Sequence, residues 1–472
     1  MVRRQHAQRS IFEMILPDGG QLWWDPEMRR IDRVLEDEAL IDQVQEALGR
    51  RWPQSRRRGR PGTPAAVVLR MLVLKHLYDW SFAECTREIR GSLIYRAFCR
   101  IDCAPVPDDK TLIRLAQALR PEVWKGILQR LVEVAQQRRV VRGRKLRVDT
   151  TVVETNIHYP TDSSLLGDGV RVITRTLHKI RKVVGQLRFR DRRRSVERVV
   201  FAIGQQSRKV GQEAQAQMKK LYRRLMGTTR TVLSEAARAV ASAKRRVKKL
   251  ASGLRPRVQG LSQQVKQMRE LSERVLEQTR ARVLQGDTHH PDKVVSLFEP
   301  HTEGIRKGKK VKPTEFGKLV KIQEAESQFI TDYQVCGERV PDGDLWQSSL
   351  ERHQELLGRP PHLATADAAF GSARNEQAAQ KAGVKRVALP AHGRLSAKRR
   401  AHQKQRWFRR AMRWRTGCEG RISALKRRHG LTRCRYHGVQ GMERWVALGV
   451  IANNLLVLAR AEAARTRMPK TE

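Results

Sequence analysis

The stretch Lys145–Ile157, reading KLRVDTTVVETNI, is where the texture of the chain changes. Before it, apolar residues recur at helical spacing. Within it, Val and Thr crowd together and alternate as a strand requires. Asp149 lies in the middle, beside Thr150 and Thr151. Burying a charge in a central strand is costly without a partner, which makes Asp149 a candidate site residue. A strand-end or capping role is the alternative, and Glu154, Asp162 and Asp168 are nearby rivals.

Strand texture returns downstream at KVVSLFEP (293–300), GKLVKIQEAES (317–327) and QFITDYQVC (328–336), the last two reading as a hairpin. A helix over 343–357 follows. The short apolar strand in HLATADAAFG (362–371) then ends at Asp367. Ser372 can cap a helix that Gly383 closes, and RVALP (386–390) is another strand. The chain finishes on a mostly apolar helix, MERWVALGVIANNLLVLARAEAA (442–464). Strands alternating with helices in this order predict an α/β fold, a mixed sheet with helices on its faces.

Upstream, Ile31, Val34, Leu35, Ile41, Val44 and Leu48 keep helical spacing. RWPQSRRRGRPGTP (51–64) reads as a linker. Thr63 before Pro64 is a helix start, Ser81 with Glu84 a capping box, and Asp108 or Asp109 a further cap; Pro121 opens a fourth helix. This all-α part fits a helix-turn-helix-like DNA reader or a plain helical bundle.

Between the first strand and the hairpin lies a long helical insertion. It carries 31 Lys and Arg against 8 Asp and Glu over 171–290, a net +23. Ala236, Ala239, Ala243, Val247 and Leu250 alternate by three and four, which fits long antiparallel helices, with a break at Gly253 and Pro256. The expected domains are 1–140 (helical), 141–170 with 291–460 (the sheet), 171–290 (the insertion) and a tail over 461–472.

The whole chain of 472 residues has a formal charge of +48, a field that attracts polyanions, nucleic acid first. No apolar run approaches the length of a membrane span, and the N-terminus predicts no signal peptide. The six cysteines, Cys85, Cys99, Cys103, Cys336, Cys418 and Cys434, form no CxxC pair and read as reduced, mostly buried cytosolic thiols. There is no GxxxxGK[ST] and no GxSxG, and His289–His290 has no acid at metal spacing.

One further stretch bears on chemistry. In Trp414–His429, WRTGCEGRISALKRRH, Arg415, Glu419 and Lys426 share one helix face. An exposed Arg–Glu pair is the plain reading. Taken with Asp149 and Asp367, however, three acids in basic surroundings suit phosphodiester chemistry. Carboxylates hold two divalent ions, Mg²⁺ by preference, and the cations contact phosphate.

On these residues the chain resembles bacterial insertion-sequence transposases of the DDE type, most closely the ISNCY group with its R-x3-E-x6-K signature. The signature is Arg415, Glu419 and Lys426; the first acid matches Asp149 in RVDTTVVETN and the second Asp367 in ATADAAFGS. SLFEPHTEGIRKGKKVKPTEFGKLVKI and RMLVLKHLYDWSFAE are also similar. The resemblance spans about residues 20–460 and implies an RNase H-like catalytic domain. It implies Asp149, Asp367 and Glu419 as catalytic metal ligands for two Mg²⁺ or Mn²⁺ ions, with Arg415 and Lys426 on phosphate. Expected partners are double-stranded DNA, both terminal inverted repeats and target, and further copies of the chain in a homodimer or higher assembly. No membrane is expected, and the location implied is cytoplasmic and nucleoid-associated. The wider signature places a Tyr where this chain has Met412. A transposase-derived binding protein without catalysis, or an RNase H-like nuclease without strand transfer, is the alternative.

Overall fold

The computed structural model describes residues 1–5, 24–51, 54, 61–247, 250–291, 293–306, 313–337, 340–391 and 393–466. Most of the 51–64 linker reading lies outside these residues. In chain order the elements are α1 (Pro26–Leu35), α2 (Glu38–Gly49), α3 (Ala65–Leu77), α4 (Phe82–Gly91), α5 (Leu93–Phe98), α6 (Asp109–Ala118), α7 (Pro121–Gln137) and β1 (Lys145–Thr155). Then come α8 (Asp162–Val184), α9 (Arg193–Gln206), α10 (Gln212–Val247) and α11 (Arg255–Thr279). The remainder is β2 (Glu303–Arg306), β3 (Thr314–Glu324), β4 (Ile330–Val335), α12 (Leu345–Leu357), β5 (Leu363–Ala366), α13 (Ala373–Lys381), β6 (Arg386–Ala388), α14 (Ala397–Lys404), α15 (Arg406–Arg428), β7 (Arg433–Cys434) and α16 (Gly438–Thr466). The fold is mixed α/β, mostly helical, around one mixed sheet.

The chain divides into two compact units, residues 1–156 with 305–472, and residues 157–304. In the first, the sheet order is β2-β3-β1-β5-β6, with β4 beside β3 and β7 beside β1. β1 is central because Val148, Thr150, Thr151, Val152 and Val153 are all β-branched and suit a strand paired on both sides. It runs antiparallel to β3, with Arg147 opposite Glu324, and parallel to β5, with Val148 opposite Ala366. The β3–β4 hairpin forms as its pattern predicts.

One apolar core joins the N-terminal helices to this sheet through Leu72, Trp124, Ile322, Phe329 and Trp445. Its axis is α16. That helix corrects the reading that no apolar run matches a membrane span. Gly438–Thr466 is long and apolar enough by length and composition, and most of its most apolar stretch is buried in the fold. Arg444 and Arg460 interrupt the run in the sequence, and the helix spends its apolar surface on the core.

Local capping follows the sequence where the partner is near. Ser81 and Glu84 close a capping box, Asp108 caps α6, and Ser372 caps α13. Thr63 does not cap. α3 starts at Ala65 with Pro64 as its cap residue, and the N–H groups of Ala65 and Ala66 donate instead to the carbonyls of Arg3 and Arg4 at 2.9 and 3.1 Å.

The second unit is a helical bundle of α8–α11 around Leu166, Ile173, Leu225, Ala236, Val258 and Val275. A 3₁₀ turn at Ser252–Leu254 and Pro256 in the first turn of α11 mark the expected break. KVVSLFEP does not form a strand among the described residues. Gln278 takes the place of a neighbouring strand: its Oε1 accepts from Val294 N at 2.9 Å and its Nε2 donates to Val294 O at 3.2 Å. Ser296 then turns the chain by accepting from Phe298 N and Glu299 N.

Candidate functional site

Asp149 and Asp367 stand on neighbouring parallel strands. Val148 pairs with Ala366, which puts the two acids at the next register position of each strand. β5 ends there, and Asp367 caps a single 3₁₀ turn, its Oδ1 accepting from Ala369 N at 3.0 Å. Asp149 is buried, and its Oδ1 accepts from Thr150 N at 2.8 Å. The third acid arrives from α15, which packs on β1, β5 and β6.

Arg415 ties this helix to the strand. Its Nη1 lies 3.8 Å from Asp149 Oδ2 and its Nη2 lies 2.7 Å from Glu419 Oε1. Its side chain is only 14% exposed, while that of Glu419 is 59% exposed. Within this i,i+4 pair Arg415 is turned inward, with a second carboxylate within its reach, while Glu419 faces outward. Lys426 lies two turns further along the same helix, ~10 Å from Glu419 at 1.5 Å per residue. The fold thus brings Asp149, Arg415 and Glu419 together, sets Asp367 beside Asp149, and leaves Lys426 at the end of the row.

Among the described residues no three His, Cys, Asp or Glu stand close enough to hold a metal ion. In kind the donors still fit a hard cation, since all three are carboxylates and two leave adjacent strands together. In this structure Arg415 supplies the positive charge between two of them.

The rivals have other partners. Glu154 faces Arg433 at 3.4 Å. Asp162 accepts from Gln278 at 3.1 Å and lies 3.5 Å from Arg282. Asp168 pairs with Arg171 and lies 3.5 Å from His158. His289 and His290 are in a loop, where His290 Nδ1 meets the carbonyl of Pro291 at 2.7 Å. All six cysteines are free thiols, five of them buried and Cys103 exposed.

A buried clamp that sequence reasoning missed sets the position of α15. Glu324 on β3 is fully buried and pairs with Arg147, its register partner on β1; Arg421 Nε of α15 lies 3.4 Å from the other oxygen, in ionic contact outside hydrogen-bond geometry. Arg147 also donates to the Trp414 carbonyl and lies 4.9 Å from the centre of the Trp414 ring. Gly417 makes this approach possible, because a Cβ there would sit 2.6 Å from Arg147 Nη1. Burial pushes the Glu324 carboxyl up, opposed by Arg147 and Arg421, and lifts the neighbouring Cys418 thiol well above its ordinary value. The signal in sequence is weak, because Arg147 and Glu324 are two of several charges on β1 and β3, beside Asp149, Lys318 and Lys321.

Other contacts fix the helix along its length. Met412 packs against the cluster of Ala388, Phe408 and Ala411, so the side chain at this position serves the core. His429, which ends α15, meets the His76 carbonyl of α3 at 3.2 Å through Nδ1. Burial holds both imidazoles below their ordinary range, His429 at about 4.

The family model described as "Transposase domain (DUF772)" matches residues 22–118, and the one described as "Transposase DDE domain" matches residues 374–459. These two matches support an insertion-sequence DDE transposase. The second match contains Arg415, Glu419 and Lys426, while Asp149 and Asp367 fall outside both. The chain is also similar to a curated Rhizobium meliloti protein, "Uncharacterized protein ORF8 in nfe locus", at 28% identity over 128 residues, 26% of this chain and 61% of that protein. The chain therefore matches about three-fifths of the length of that relative. No solved structure matches.

Proposed function

We propose that this chain is a DDE transposase that binds transposon-end DNA, cleaves it, and joins the freed 3′-OH ends to target DNA. In this reading the sheet of β1, β3 and β5 with α15 is an RNase H-like catalytic domain, and the N-terminal helices help to bind terminal inverted repeats. A dimer or larger assembly pairs the two ends, in the cytoplasm on the nucleoid. The observation that supports the reading is that Asp149 and Asp367 follow the paired residues Val148 and Ala366 on adjacent strands, with Arg415 of α15 within reach of both Asp149 and Glu419.

Asp149, Asp367 and Glu419 would hold two divalent ions, Mg²⁺ or Mn²⁺, which supply activation of an attacking oxygen and neutralisation of a leaving one. The other tasks fall to the chain itself. β1 and β5 hold Asp149 and Asp367 at fixed register. The Arg147–Glu324–Arg421 clamp fixes the rotation and height of α15 against them. Arg415 exchanges its carboxylate partners for phosphate oxygens, for which its planar fork is suited, and Lys426 adds a point charge further along the strand of DNA. In the first reaction a water oxygen attacks phosphorus, the P–O3′ bond breaks, and a 3′-OH remains. In the second that hydroxyl attacks a target phosphorus and displaces a target 3′-oxygen.

The engaged Arg415 ion pairs favour one alternative, a transposase-derived DNA binder without catalysis. The deciding assay mixes the protein, a duplex ending in the element's own 3′-OH terminus, a supercoiled plasmid, and Mg²⁺ or Mn²⁺. The element's ends are recognisable as imperfect inverted repeats flanking the gene. Covalent joining of the duplex to the plasmid is the expected result. Nicked plasmid without joining would indicate a nuclease only, and neither product a silent binder.

A further inference from the structure

We infer that the exposed ridge of α10 is a docking surface for the phosphate backbone of duplex DNA. The helix is 36 residues long and carries nine Lys and Arg against two Asp and Glu. Its buried face holds Leu225, Val232, Ala236 and Ala243. Diametrically opposite, Arg223, Arg230, Arg238 and Arg245 follow one another at offsets of seven, eight and seven. At 3.6 residues per turn these offsets stay within an arc of about 80°. All four are exposed, and none has a carboxylate within ion-pair distance among the described residues.

The neighbouring helix shows what an ordinary solvated face looks like in this bundle. α11 has five cations and three acids, and it laces them together, Lys266 with Glu270 at 3.8 Å and Arg269 with Glu273 at 3.1 Å. α10 does the reverse. Lys219 with Arg223, and Lys220 with Arg224, are like charges at i,i+4, a spacing that repels. Glu235, one of its two acids, is turned to Arg192 at 2.7 Å and so is not spent on the ridge. A chain that only needed a soluble helix would gain by interleaving acids, as α11 does.

The residues between the arginines point to a rigid partner. Gly227, Ser234 and Ala241 fill the ridge at steps of seven, all small and exposed. A Cβ added at Gly227 meets nothing within 4 Å, so no packing within the unit requires glycine there, although glycine weakens a helix interior. A low ridge with guanidinium groups standing along it admits a stiff anionic surface closely. From Arg223 to Arg245 the ridge is about 33 Å long at 1.5 Å per residue. That matches one turn of duplex, about 34–36 Å, better than it matches a small anion. No base-reading arrangement is implied, because guanidinium–phosphate contacts position a duplex without reading its sequence.

This inference rests on the DNA-processing reading above only for the choice of duplex as the polyanion. Cleavage and joining assays report on Asp149, Asp367 and Glu419, whereas the salt dependence of binding reports on the ridge, so either can fail alone. The test uses the full chain and a 20-base-pair duplex, with affinity measured by anisotropy over a range of NaCl. Changing all four arginines, R223Q/R230Q/R238Q/R245Q, should lower the slope of log K against log [NaCl] by roughly 3–4, about 0.9 for each phosphate no longer neutralised. Gly227→Glu should weaken binding without lowering the melting temperature, which separates docking from folding. The pair K266Q/R269Q on α11 should leave the slope nearly unchanged. An unchanged slope in the quadruple variant overturns the inference. So does an equal loss per charge in the α11 variant, which would mean that only overall charge matters. Binding to anionic lipid vesicles in preference to duplex, abolished in the quadruple variant, would overturn the assignment of duplex DNA.

Discussion

Asp149→Asn, Asp367→Asn and Glu419→Gln should each abolish divalent-dependent cleavage at transposon ends while leaving end binding intact. The expected loss is roughly 10³-fold or more, at the upper end of what losing one group from a preorganised site costs. The structure explains why folding should survive. Asp367 is at a strand end and Glu419 is largely exposed. Asp149 is buried, but the asparagine keeps an oxygen able to accept from Thr150 N, and Arg415 retains Glu419 at 2.7 Å. Melting temperatures should therefore move by no more than a few degrees. A gel shift on end DNA together with a cleavage assay in Mg²⁺ checks both halves. Retained cleavage in any one variant would remove that residue from the site.

Glu324→Gln should have the largest effect on stability of any single change near the site. Glu324 faces two guanidinium groups, Arg147 and Arg421, with no exposed surface of its own. Removing its charge leaves both cations in the interior without a carboxylate, and breaking a buried pair in this way costs about 3–5 kcal/mol. Denaturant unfolding measures the loss directly. Because the clamp joins β1, β3 and α15, cleavage should fall as well, through displacement of Arg415 and Glu419. Replacing the register pair together, as Arg147→Met with Glu324→Met, removes one of the two stranded cations, leaving Arg421, and should recover part of the stability. It should not recover cleavage, since Trp414 and Gly417 were fitted around the guanidinium. Full recovery of cleavage in the double variant would show that the clamp serves stability alone.

Much of the architecture is legible where its cause is local. The capping box at Ser81 and Glu84, the cap at Ser372 and the β3–β4 hairpin each depend on residues a few positions apart, and each forms. Asp149 stands out in a strand and Asp367 at a strand end for the same reason. What was hidden depends on distant partners. Arg147 and Glu324 are 177 residues apart, and only the antiparallel register of β1 with β3 brings them together. Thr63 looked like a cap until the first residues of the chain supplied carbonyls to the helix N–H groups. KVVSLFEP has strand composition, yet Gln278 satisfies its backbone from a helix. Met412 packs against the small cluster of Ala388, Phe408 and Ala411, a role that no motif announces.

In the proposed site, three carboxylates carried by β1, the end of β5 and α15 hold one set of cations. Iron-mediated cleavage of the polypeptide tests it without relying on transposition. Fe²⁺ loaded in place of Mg²⁺, with ascorbate and peroxide, cuts the backbone where the ion is held. The account expects cuts near Asp149, Asp367 and Glu419, suppressed by excess Mg²⁺ and disappearing together in Asp149→Asn. Cuts confined to other segments, or cuts that persist unchanged in that variant, would contradict it.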